Sequence, residues 1–200
     1  MPVALCLAGG GSVARWKGTW VTFTESVPWF LPGTIVSIGV ALAVSGSASR
    51  ALAMSRTIAA ALAVSFGVIV SATLTPLRGA IESGATGTGA CNLSRVGIVT
   101  LNDLMAPTAL DTVLNVALFI PLGLAIGVAP ASRQKATLVL AAFTLPLTIE
   151  VTQLLVTPLA RACESADVFD NLTGLVVGLS AGAFLARVVR GSSRAGVAEQ

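Results

Sequence analysis

Histidine and tyrosine are both missing from this 200-residue chain. The missing imidazole excludes a His-dependent catalytic triad, the His-Glu-x-x-His zinc helix and any imidazole proton shuttle. Acid/base chemistry would then fall mainly to Asp and Glu. The sequence assigns no metal-ligand set and no cofactor; a metal would be a hard, oxygen-liganded ion such as Mg²⁺. Charge is also scarce. Charged residues make up 10% of the chain, against roughly 25% in a soluble domain. The net charge is only +3, from scattered basic residues, which leaves no footprint for nucleic acid.

What the chain has instead is apolar length. It is 54% hydrophobic with a mean hydropathy of +0.88, the composition of an integral membrane protein. Segments near 29–48, 57–75, 112–129, 136–156 and 168–189 are each close to the roughly 20 residues that cross a bilayer as a helix. The expected fold is all-α, a polytopic transmembrane helix bundle of about five spans. Its expected parts are a lead-in over residues 1–27, disordered or interfacial; the bundle over 28–190; and a cytoplasmic tail over 191–200. The apolar stretch 2–8 is too short to span. The segment 29–48 also reads as a signal-peptide core with a small-residue cleavage site near Ala48. Gly33, Ser37, Ala41, Ser45 and Ser49 recur every four residues there, and Gly174, Gly178 and Gly182 do so in the fifth span. Stripes of small residues let membrane helices approach closely. Pro121 and Pro146 fall inside the third and fourth spans, where proline removes a backbone donor and favours a kink.

Basic residues set the expected orientation. Arg50, Arg56, Arg133, Lys135, Arg187, Arg190 and Arg194 lie on one side. Only Arg78, Arg95 and Arg161 lie in the two long loops opposite, joined by Arg15 and Lys17 of the lead-in. The first group is therefore expected in the cytoplasm and the loops outside, in a multi-pass protein of the cell membrane. Cys91 and Cys163 then share an oxidising side, which permits a disulfide between them and leaves Cys6 unpaired.

The few polar residues within the spans carry the functional reading, because an ionisable group deep in lipid costs roughly 2.5 kcal/mol or more unless partnered or hydrated. Asp111 and Asn115 are four apart on one helix face. Glu150 and Gln153 are three apart in the outer third of the fourth span. Asp167, Asp170 and Asn171 open the fifth span, and Arg161 in the preceding loop is the natural counter-ion. All are expected at the same extracytoplasmic depth, as one polar cluster. Structural roles compete with function at each position. Asp111, Asp167 or Asp170 would serve as helix caps, and Glu150 would serve as the ion-pair partner of Arg161.

The same residues carry a resemblance. Asp111-x-x-x-Asn115-x-x-x-Phe119-x-Pro121-x-Gly123, then Glu150-x-x-Gln153, Arg161 and Asp167-x-x-Asp170-Asn171-x-x-Gly174 resemble the signature of the VanZ-like membrane protein family. The likeness covers about residues 70–185, with Leu74-Thr75-Pro76 closing the second span. It implies a small bacterial multi-span protein, in a family whose namesake is linked to resistance to the glycopeptide teicoplanin. Many members carry a Pro-Phe pair shortly after an Asn in the loop before the third span. Here Asn92-Leu93 is followed by Ser94-Arg95-Val96.

Two functions follow as expectations. In the first, the polar cluster of Asp111, Asn115, Glu150, Gln153, Arg161, Asp167, Asp170 and Asn171 binds a cell-envelope ligand: a lipid-linked wall precursor, a lipid headgroup or a glycopeptide. In the second, an intramembrane enzyme uses Glu150 or Asp170 as general base on a lipid-linked substrate. The chain offers no activated nucleophile and no phosphate loop, so the first reading leads. Five spans without an evident inverted repeat argue against a transporter.

Overall fold

A computed structural model describes residues 23–105 and 109–198. The stretch 2–8, Cys6, Arg15, Lys17 and Pro107 lie outside the described residues. The described residues are all-α apart from one two-residue bridge. Among the described residues five helices are long and apolar enough to cross a membrane: α1 (Phe30–Leu52), α2 (Arg56–Thr73), α5 (Ala109–Val128), α6 (Arg133–Leu155) and α7 (Ser165–Ala198). Two short helices, α3 (Arg78–Ser83) and α4 (Leu101–Met105), lie in the long loop before α5. In that loop β1 (Cys91–Asn92) pairs in parallel with β2 (Cys163–Glu164), which lies between α6 and α7. α5 and α6 run on through their internal prolines, Pro121 and Pro146, while Pro32 sits in the first turn of α1. The fifth helix opens three residues earlier than the hydropathy suggested and continues through the tail to Ala198. The lead-in expected to end at residue 27 already has structure from residue 23: residues 23–26 form a helical turn, and Val27 is buried.

Helix ends are closed by side chains that the sequence supplies locally. Ser55 Oγ accepts from the Ile58 amide at the start of α2, and Ser132 Oγ from the Lys135 amide at the start of α6. Such caps satisfy amides that have no partner within the helix. At the same end of the molecule Lys135 Nζ donates to the carbonyls of Gly127 (2.8 Å) and Ala129 (3.0 Å). There a cation meets the negative end of α5. At the opposite end α2 stops at Thr73, because Pro76 keeps Thr75 out of the helical region.

The bundle is built on the pair α5–α7, the most extensive helix contact in the molecule. α2 packs on α5, α1 on the outside of α2, and α6 on α7. Glycine makes the central contact possible. A Cβ on Gly178 would lie 3.0 Å from the Gly123 Cα and 2.8 Å from the Leu124 nitrogen, and one on Gly182 would lie 2.9 Å from the Gly127 Cα. One on Gly174 would overlap the Val116 carbonyl oxygen. The stripe read in the fifth span therefore meets a second one, Gly123 and Gly127, on α5. The small residues of α1 do the same against α2: Gly33 abuts Ser71, Ser37 abuts Gly67, and Ala41 and Ser45 are buried. Around this frame Ile69, Phe119, Ile126, Ile149 and Leu175 form the core. The apolar surface that remains, such as Ile35, Val36, Leu42 and Val177, is exposed on the outside and suits lipid.

Replacing Gly178 by Val should lower the thermal stability of the detergent-solubilised protein by about 1–3 kcal/mol or more, as overpacking does. Gly39, with nothing within 4 Å of its would-be Cβ, should accept Ala with no loss. Equal melting temperatures for G178V and G39A would contradict the packing described.

Candidate ligand cavity

Close approach of α5 and α7 brings their polar ends together. Asn115 Nδ2 donates to Asp167 Oδ1 at 2.7 Å across the interface. From α6, Gln153 Nε2 donates to the Thr73 carbonyl at 2.9 Å, one of the carbonyls left open where α2 ends. Arg161, in the loop after α6, donates from Nε to the Thr75 carbonyl at 3.0 Å. Two backbone bonds tie the same loop to the chain after α2, Leu77 N to Leu159 O and Gly87 N to Thr157 O. Glu150, only 3% exposed, accepts the Glu164 amide at 2.7 Å. Cys163, next to Glu164, is disulfide-bonded to Cys91, so the β-bridge is fastened on both sides.

These groups line a cavity of about 440 Å³ at one end of the bundle. Its polar wall holds Asp111, Asn115, Glu150, Gln153, Arg161, Asp167 and Asn171, with Glu164 beside them. Its apolar wall is made by Phe23, Phe30, Val68, Leu114 and Leu118. The rings of Phe23 and Phe30 meet edge-on, 5.2 Å apart. Three buried polar atoms of lining residues have no hydrogen-bond partner in the protein: Gln153 Oε1, Asn171 Oδ1 and Arg161 Nη2. Burial pulls the Arg161 pKa down to about 10, against the pull of Asp167 and Glu150, so its guanidinium stays charged at neutral pH.

Seven of the eight residues expected in the polar cluster line the cavity, and Asp170 does not. It is 1% exposed and is turned to Arg95, whose Nη2 donates to both carboxylate oxygens at 2.6 Å each. That bond is the main reason the Arg95 pKa is raised. Ser165 Oγ holds the Arg95 carbonyl at 2.6 Å, and Asp103 Oδ2 lies 3.6 Å from Nη1. The Thr100 side chain and amide hold the Asp103 pKa below the usual carboxylate range. The expected ion pair of Glu150 with Arg161 is also corrected. Among the described residues they form no salt bridge, because the Glu164 amide occupies the one and the end of α2 the other. Sequence reasoning missed Arg95, Glu164 and the phenylalanine wall. Arg95 did carry a signal, as a cation in the loop where many members of the resembled family have Pro-Phe.

Residues 16–188 match the family model described as VanZ/LLP1. The chain belongs to the VanZ/LLP1 family. No curated protein and no solved structure matches it at a significant level. Family membership and the five long apolar helices make it a multi-pass membrane protein of the VanZ-like type. In this family member, the span end that carries Asp111, Asn115, Glu150 and Gln153 is a walled cavity, and Asp170 is a strut beside it.

Substituting Arg95 by Met should leave the Asp170 carboxylate buried and unpaired, at a cost of about 3–5 kcal/mol. The double variant Arg95→Met, Asp170→Leu should recover much of that loss. Thermal unfolding in detergent decides it: a double variant no more stable than R95M would refute the pairing.

Proposed function

We propose that this protein sits in a bacterial cell membrane with the cavity end outside, and that the cavity holds the polar head of a cell-envelope ligand. One observation carries the reading: a single cavity joins a polar wall of carboxylates, amides and one guanidinium to an aromatic and aliphatic wall. That is the form of an amphiphile's binding site, in which a head is hydrogen-bonded and a chain lies on apolar surface. Lipid headgroups, lipid-linked wall precursors and acylated glycopeptides have that form. The basic-residue asymmetry supports the orientation, and a disulfide beside the cavity suits an oxidising compartment. Resemblance to the family of the teicoplanin-linked namesake supports a contribution to glycopeptide resistance. The enzyme alternative loses one of its two bases, since Arg95 occupies both oxygens of Asp170.

Cells expressing the gene should tolerate more teicoplanin than the same cells with an empty vector, and the Gln153→Ala variant should lose the difference. Equal susceptibility across the glycopeptides, with the protein present in the membrane, would remove the antibiotic branch.

A further inference from the structure

Four carboxyl groups, Asp111, Glu150, Glu164 and Asp167, line the cavity, and Arg161 is the single cation among its lining residues. An acidic wall of this kind calls for positive charge. Among the described residues, no three acids lie close enough together to hold a metal ion, so the geometry favours an organic cation. Gln153 and Asn171 decide what kind. They are 6% and 1% exposed, both line the cavity, and each has a buried side-chain carbonyl oxygen with no donor. Gln153 Oε1 is fixed as an acceptor, because the amide nitrogen is committed to the Thr73 carbonyl. A buried acceptor without a donor is costly, so these two oxygens seek N–H groups. A quaternary ammonium has none, and a primary ammonium has three. Arg161 Nη2 is the complementary orphan, a buried donor that seeks an oxygen.

We infer that the cavity selects an amphiphile whose head joins a primary ammonium to an anionic oxygen, the phosphoethanolamine type. The ammonium lies among Asp167, Gln153 and Asn171, the phosphate faces Arg161, and the acyl chains leave along the wall of Phe23, Phe30 and Leu118. This specificity rests on the ligand-binding reading above.

The test is native mass spectrometry of the delipidated, detergent-solubilised full chain with dioctanoyl lipids that differ only in the head. Phosphatidylethanolamine should bind at least about tenfold more tightly than phosphatidylcholine or phosphatidylglycerol, the loss expected when buried acceptors go without a donor. Asp167→Asn, which removes a carboxylate from the cavity wall, should narrow that preference by weakening phosphatidylethanolamine binding. Soluble phosphoethanolamine identifies the source. Weak competition means a membrane lipid, and competition equal to the lipid's means a free small molecule with the same head. Equal binding of all three lipids, or tighter binding of phosphatidylglycerol or phosphatidylcholine, would overturn the inference and leave the ligand-binding reading intact. Failure of all three lipids to bind would overturn the inference and remove lipid headgroups from the ligand-binding reading, which then rests on wall precursors and glycopeptides. The comparison on the unmodified protein needs no variant to fold.

Discussion

The backbone contact between α5 and α7 is the constraint on which the remaining structure depends. In lipid, two apolar helices gain no hydrophobic advantage by touching, so close packing has to supply the attraction. Gly123 and Gly127 face Gly178 and Gly182, and Gly174 lies against the Val116 backbone, so the helices meet backbone to backbone. The consequence lies about two turns beyond the glycines. There Asn115 of α5 and Asp167 of α7 are held at hydrogen-bond distance, and the polar ends of both helices open into a common space.

A second constraint shapes that space. Hydrocarbon offers no hydrogen bonds, so polar groups at membrane depth must find partners within the protein or in trapped water. Several partners here are loose backbone ends. Gln153 and Arg161 take up carbonyls beyond the end of α2, and Glu150 takes an amide from the β-bridge. Each bond uses only part of a side chain's capacity, and Gln153 Oε1 and Arg161 Nη2 are left without a partner among the described residues. Asp170 illustrates the opposite outcome. With both oxygens bound by Arg95, it is spent on holding the loop against α7.

The five spans were legible because helical membrane segments announce themselves through length and apolar composition. The cavity's polar wall was legible for a related reason: Glu150 and Gln153 in an apolar run are too costly to stand alone, and helical spacing says which side chains share a face. Arg95 was not legible as the partner of Asp170. The two are 75 residues apart, and the path of the intervening loop is set by the Cys91–Cys163 bond and a two-residue bridge, which no periodicity encodes. Pairing Glu150 with Arg161 failed for a similar reason. Charge alone pointed to that pair, whereas the fold presents each of them with a nearer backbone group. Nothing in the sequence ties Phe23 and Phe30 to the polar residues, and the fold brings them to the same cavity.

The central claim is that these remote polar side chains share one water-accessible cavity within the bundle. Reaction of single cysteines with a charged, water-soluble thiol reagent tests it most directly, in nanodiscs and in a background with Cys6 replaced by Ala. A cysteine at Asn115, on the cavity wall, should react readily. One at Val177, on the outer face of α7, should stay protected by lipid. An inert position 115, or equal reaction at both, would contradict the account.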